Sequence, residues 1–149
     1  MKKIKIYTDG SSLGNPGYGG WAAVLKYCDK TKELKGSKAN VTNNQMELLS
    51  VIEAIRVLKE PCDISLFSDS IYVVKSINSW LDSWQKKNWK NSAKKPVKNK
   101  DLWLEYLKLS AKHSIEATWV KAHNGHKENE RCDYLARDEA TRLQKLGEI

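Results

Sequence analysis

The chain has 149 residues, 40% of them hydrophobic, and a formal net charge of +8, enough apolar material for one core and too little for two. No apolar run approaches the roughly 20 residues of a membrane span, and MKKIKIYTDG carries no signal-peptide stretch, so a single soluble domain over 1–149 in the cytoplasm is expected. Cys28, Cys62 and Cys132 are odd in number and far apart, which speaks against a disulfide framework and for a reducing compartment.

Ile4 and Ile6 alternate with Lys3, Lys5 and Tyr7, the period-2 pattern of a strand. Asp9 is then expected where this strand runs out into a glycine-rich turn, and by itself it reads equally well as a turn former. GGWAAVLKY (19–27) and TKELKGSKA (31–39) predict two more short strands in a meander. Thr42-Asn43-Asn44-Gln45 offers a capping box before MELLSVIEAIRVLKE (46–60), where Leu48, Leu49, Ile52, Ile55 and Leu58 form a helical stripe that Pro61 ends. DISLFS (63–68) predicts a fourth strand and DSIYVVKSINSW (69–80) a helix. A short helix follows in the next segment, then a clearer one over DLWLEYLKLSAK (101–112). SIEATWV (114–120) predicts the last strand, KAHNGHKEN (121–129) a loop, and the final helix runs from about Glu130 to Lys145. Three strands followed by alternating helix and strand imply an α/β fold, a mixed sheet with helices on its faces.

The charge is local. Between Asp82 and Asp101 there is no acid but seven lysines, and without them the formal charge falls from +8 to +1. Trp80, Trp84 and Trp89 are interleaved with Lys86, Lys87 and Lys90. A lysine run is often only a solvated face and tryptophans are often core, yet flat rings beside clustered cations suit a polyanion, and nucleic acid is the favoured partner.

The acids repeat a placement. Asp69 closes LFSD at the carboxyl end of an apolar strand, as Asp9 does, and if those strands are neighbours the two carboxylates share the sheet edge where α/β folds bind ligands. Glu47 and Asp133 are expected in the first turns of their helices. Each alone reads as a capping or dipole-favoured acid. Crowded together, the four repel unless cations neutralise them, and hard oxygen donors select Mg²⁺ or Mn²⁺. Two such ions, clamping a phosphodiester, would cut nucleic acid.

YTDGSSLGNPGYGG, TNNQMEL, LFSDSIYVV, KKPVKNKDLW and WVKAHNGHKENERCDYLA, in this order and at these spacings, resemble a bacterial type 1 ribonuclease H over essentially the whole chain. The resemblance implies a ribonuclease H-like fold: a five-stranded mixed sheet, three antiparallel strands first and then parallel ones, with helices on both faces. It implies an endonuclease that hydrolyses the RNA strand of RNA–DNA hybrids and leaves 5′-phosphate and 3′-hydroxyl ends. Asp9, Glu47, Asp69 and Asp133 fall on the four acids that hold two Mg²⁺ ions in that family, with Mn²⁺ a possible substitute. His123 falls on its mobile histidine, which moves protons or helps release product, whereas His126 matches no catalytic role. Zinc held by His123, His126 and Cys132 would lack a fourth soft ligand.

Telling RNA from DNA requires reading the 2′-hydroxyl across the minor groove. Gly10, Ser11 and Ser12 offer backbone and hydroxyl partners, and Asn15, Asn43 and Asn44 offer amides, although all are ordinary turn and cap residues. Thr42 and Asn43, at a helix start, suit a phosphate of the DNA strand. The segment at about 80–100 matches the family's basic protrusion, where lysines hold the DNA backbone and a tryptophan packs near its sugars. Two positions depart from the pattern: Ile71 stands where glutamine is frequent, and Ser12 where close relatives have cysteine. Strand one begins almost at Met1, so no hybrid-binding domain is expected before it, and the basic segment is left to supply most of the affinity. A monomer is the simplest expectation. The alternatives are another nuclease of the same fold acting on DNA, or a non-catalytic nucleic-acid binder.

Overall fold

The structure, a computed structural model, describes residues 1–122 and 125–148. Its sheet is built from β1 (Lys2–Gly14), β2 (Gly17–Tyr27), β3 (Lys30–Val41), β4 (Cys62–Ser68) and β5 (Ser114–Trp119). The spatial order is β3-β2-β1-β4-β5. The first three strands pair antiparallel, and β4 and β5 add parallel to β1. Parallel pairs need crossovers, supplied here by helices: α1 (Asn43–Arg56) between β3 and β4, and α2 (Ile71–Lys75), a π-helical turn (Ser76–Trp80), α3 (Leu81–Lys86) and α4 (Lys100–Ser110) between β4 and β5. The last helix is α5 (Lys127–Gly147).

The pleat divides the apolar residues between two faces. Ile4 and Ile6 of β1, with Ile64 and Leu66 of β4, pack against Leu48, Val51, Ile52 and Ile55 of α1 and Trp103 and Tyr106 of α4 in the main core. On the other face Ala22 and Val24 of β2 meet Cys132, Leu135 and Ala136 of α5, with Tyr7 against them. Helices therefore cover both faces, as expected. The capping box is formed, with Thr42 accepting from the Gln45 N–H and the Gln45 side chain accepting from the Thr42 N–H. Among the described residues no helix is long and apolar enough to cross a membrane.

Three expectations need correction. β1 does not run out at Asp9: it continues to Gly14, and the turn falls at Asn15-Pro16. Beyond Thr8 the strand has lost β4 and pairs only with β2, so it no longer spans the core and carries no apolar alternation. α5 begins at Lys127, so Asp133 lies in its second turn instead of its first; polar Lys127, Glu128 and Asn129 gave no periodic signal. The helix expected over 69–80 is interrupted by the π-helical turn, where Asn78 donates to the Ala117 carbonyl of β5 at 3.0 Å.

The basic segment is ordered by its aromatic residues. Trp84 packs between Trp89 and Trp103 with tilted rings, at centroid distances of 6.4 and 6.2 Å, and Trp103 is fully buried. Trp80 leans on Trp84 and is 39% exposed. The tryptophans thus differ in burial: Trp84 and Trp89 are partly buried against the core, Trp80 is exposed, and Lys86, Lys87 and Lys90 lie exposed in the same segment.

Candidate active site

Two close approaches fix the geometry where the β1–β4 ladder ends. A Cβ on Gly10 would collide with the Met46–Glu47 backbone, so this glycine lets the start of α1 press against β1. A Cβ on Gly20 would strike the Ala136 carbonyl, so α5 lies equally close to β2. Glu47 from α1 and Asp133 from α5 are thereby delivered from opposite faces to Asp9, which lies within β1 just past the stretch that pairs with β4. The β1–β4 ladder stops at Thr8 and Ser68, and Asp69 follows immediately.

Asp9, Glu47 and Asp69 each place a carboxylate oxygen within 4.8 Å of the others. The Gly10 N–H donates to Asp9 Oδ1 at 2.8 Å and also to the Glu47 carboxylate. Burial pushes the Asp9 carboxyl up to about 7, and the charges of Asp69 and Asp133 push the same way against its hydrogen bonds to Glu47 and Gly10. Burial, then the Asp9 charge, holds Glu47 well above the ordinary carboxylate range. Without a cation, burial and mutual repulsion oppose full ionisation of the pocket.

A cleft of about 310 Å³ opens over this cluster, walled by Asp9, Gly10, Ser11, Asn43, Asn44, Glu47, Asp69, Ser70, Asp133 and Arg137. All four acids singled out from the sequence line it, although Asp133 stands apart from the closely spaced three and pairs with Arg137, Nε to Oδ1, at 3.0 Å. Ser12, Asn15 and Asn43 form a chain beside the cleft. The Ser12 N–H donates to Asn43 Oδ1 at 2.7 Å, and the Asn43 N–H to Asn15 Oδ1 at 3.0 Å. Both amide oxygens are engaged internally, which leaves the exposed NH₂ donors to face outward. Thr42 is occupied as the helix cap. Trp80, Trp84, Lys86, Lys87, Trp89 and Lys90 do not line the carboxylate cleft. His123 lies outside the described residues.

Sequence reading missed Arg137, Ser70 and Trp119. Arg137 had a signal, the i,i+4 spacing from Asp133. Ser70 caps α2, its Oγ accepting the Val73 N–H. Trp119 donates its indole N–H to the Asp69 carbonyl at 3.0 Å, a contact across 50 residues that leaves no local trace. The zinc reading weakens further: Cys132 is fully buried, its Sγ donates to the Tyr7 carbonyl, and burial pushes its thiol up, away from the thiolate a metal takes.

The donor set is all carboxylate oxygen, with no soft ligand among the three that meet, and it fits a hard divalent cation. It is a candidate acidic metal centre at the edge of an α/β sheet. The family model for RNase H matches residues 1–141. The chain is 57% identical over 145 residues to a ribonuclease H of Campylobacter jejuni subsp. jejuni (serotype O:23/36, strain 81-176), covering 97% of this chain and 96% of that one. Among solved structures it is similar to LC9-RNase H1, a type 1 RNase H with the type 2 active-site motif, with a TM-score of 0.85 and 29% identity over 94% of this chain and 72% of the other. It shares its fold with LC11-RNase H1, solved in complex with an RNA/DNA hybrid, with a TM-score of 0.71 at 19% identity, covering 95% and 99% of the two chains. With acids from β1, the residue after β4 and two helices gathered in one cleft and the family model matched over residues 1–141, this chain belongs to the ribonuclease H family.

Proposed function

We propose that this protein is an endonuclease that hydrolyses the RNA strand of RNA–DNA hybrids, leaving 5′-phosphate and 3′-hydroxyl ends, with two Mg²⁺ ions held by Asp9, Glu47, Asp69 and Asp133. The observation that carries this reading is the meeting of Asp9, Glu47 and Asp69 in a member of the ribonuclease H family. Mn²⁺ has the same donor preference and is the expected substitute. One copy of the chain carries all four acids, so a monomer suffices.

Asp9, Glu47, Asp69 and Asp133 would hold the divalent ions, which would supply Lewis-acid stabilisation of charge on the scissile phosphate and a more acidic water as nucleophile. The protein's own groups do the rest. The Gly10 N–H, donating to both Asp9 and Glu47, steadies their charged forms against the burial that disfavours them. Outward amide donors on Asn15 and Asn43, with Ser11, Ser12, Asn44 and the Gly10 backbone, border the cleft where the minor groove and its 2′-hydroxyls would lie. Thr42 and Asn43 at the start of α1 face a phosphate of the DNA strand. The exposed lysines at 86, 87 and 90 hold the DNA backbone, with Trp80, Trp84 and Trp89 beside its sugars. The role of His123 in proton movement or product release rests on the resemblance alone.

Three end-labelled substrates of one sequence, a hybrid, a DNA duplex and an RNA duplex, incubated with Mg²⁺ or with EDTA, test the reading. Cleavage of only the RNA strand of the hybrid, and only with Mg²⁺, is expected. Cutting of the DNA duplex would assign the chain to a DNA-directed nuclease, and binding without any cutting to a non-catalytic role.

A further inference from the structure

Asp9 and Glu47 are anchored by regular backbone, whereas Asp69 is not. Asp9 is paired with Ala22 in the β1–β2 ladder and Glu47 lies within α1. Asp69 falls in a bend between β4 and α2, one residue beyond the last paired residue on both neighbours: the β1–β4 ladder ends at Thr8 and Ser68, and the β4–β5 ladder at Ser68 and Trp119. The Val120 N–H, donating to the Ser68 carbonyl at 2.9 Å, is the final backbone bond on the β5 side. Past that point the Trp119 indole takes over, with its N–H on the Asp69 carbonyl at 3.0 Å. The ring is 46% exposed, so what holds this large apolar side chain at the surface is not burial alone.

We propose that Trp119 is a positioning residue for the metal centre: its indole N–H clamps the Asp69 backbone where both strand ladders have stopped, and so sets the distance of the Asp69 carboxylate from Asp9 and Glu47. The inference rests on the proposed function, since it concerns how the chain prepares a carboxylate for a divalent ion. Ser70 supports the same segment from the other side. Its N–H donates to Ser68 Oγ at 3.0 Å and its own Oγ caps α2 at the Val73 N–H. The carbonyl of Asp69 itself is left to Trp119.

Trp119→Phe keeps a ring and removes the donor. In calorimetric titration of Mn²⁺ into the protein without nucleic acid, this variant is expected to bind about three- to tenfold more weakly, the scale of one lost hydrogen bond that orders a ligand. The Mg²⁺ concentration that gives half-maximal hybrid cleavage rises by the same factor. A purely structural role would lower the melting temperature of the metal-free protein and leave ion affinity unchanged, and that pattern would overturn the proposal. Should Trp119→Phe fail to fold, the wild-type protein provides the second measurement: the Trp119 indole N–H resonance must shift during Mg²⁺ titration with the same midpoint as the ion-binding isotherm, and an indole that stays still would overturn the proposal equally. Asp9→Asn separates the two levels. If it too binds Mn²⁺ as tightly as wild type, the metal centre itself is wrong; if it loses binding while Trp119→Phe does not, only the clamp is wrong.

Discussion

The Arg137 guanidinium reaches across one turn of α5 to the Asp133 carboxylate, at 3.0 Å, and both side chains line the cleft over the other three acids. The arginine is 60% exposed on its side chain, so the pair is worth little, about 0.2–1 kcal/mol. It nevertheless occupies the acid that stands outside the close cluster. An ion that takes Asp133 as a ligand competes with this arginine. Arg137→Gln should therefore tighten Mn²⁺ binding up to about fivefold in a calorimetric titration. Weaker binding in the variant would mean that Arg137 supports the centre instead of competing with it.

The raised carboxyls make metal-free stability fall as pH rises. In the unfolded chain Asp9 loses its proton near 3.8, whereas the folded protein keeps it until about 7, so between those values the native state binds more protons and stability declines with rising pH. Glu47 adds in the same direction. Urea unfolding in EDTA should show stability lower at pH 8 than at pH 5, by about 2–3 kcal/mol from Asp9, with the Glu47 contribution added to it. Asp9→Asn should remove the Asp9 share of that difference and lessen the Glu47 share, since burial of Glu47 remains. Added Mg²⁺ should restore stability at pH 8 far more than at pH 5, because protons no longer compete for the carboxylates. Equal slopes in wild type and Asp9→Asn would contradict the assignment.

Gly10→Ala is expected to be costly for a reason unrelated to turns. The added methyl meets the backbone of Met46 and Glu47, which cannot swing aside as a side chain end can. Displacing α1 should cost about 1–3 kcal/mol in urea unfolding and weaken ion binding together with it, since Glu47 moves with the helix. A variant with native stability and native ion affinity would show that the contact is soft.

Salt dependence tests the role proposed for the basic segment. Lys86, Lys87, Lys90, Lys94 and Lys95 are exposed, and among them Lys86 also pairs with Asp82 at 2.9 Å in an exposed contact. Replacing the five by serine should weaken hybrid affinity and flatten the slope of log Kd against log salt by about 0.7–0.9 for each phosphate contact removed. An unchanged slope would put the binding surface elsewhere on the chain.

Much of this was legible before the structure because it obeys periodicity. Leu48, Ile52 and Ile55 recur on one side of α1, Ile4 and Ile6 on one side of β1, and each patterned set faces the main core. Asp9 and Asp69 stood out as acids ending apolar runs, and parallel pairing of β1 with β4 brings those ends together. What escaped depends on partners far apart in the chain. Leu13 gives no apolar alternation because its part of β1 has only β2 beside it, and the π-helical turn accompanies a bond from Asn78 to Ala117 that no window of sequence contains. Tryptophan spacing alone could not tell the exposed Trp80 from Trp84, which is wedged against buried Trp103.

Cleavage of a 5′-labelled RNA strand within a hybrid, followed in Mg²⁺ for wild type, Asp9→Asn and Asp69→Asn beside hybrid binding in EDTA, tests the central claim most directly. Wild type should cut only when Mg²⁺ is present, and both variants should lose cleavage by at least about a thousandfold, the scale of a lost preorganised electrostatic contact, while still binding the hybrid. Near-normal turnover by either variant would contradict a shared carboxylate centre.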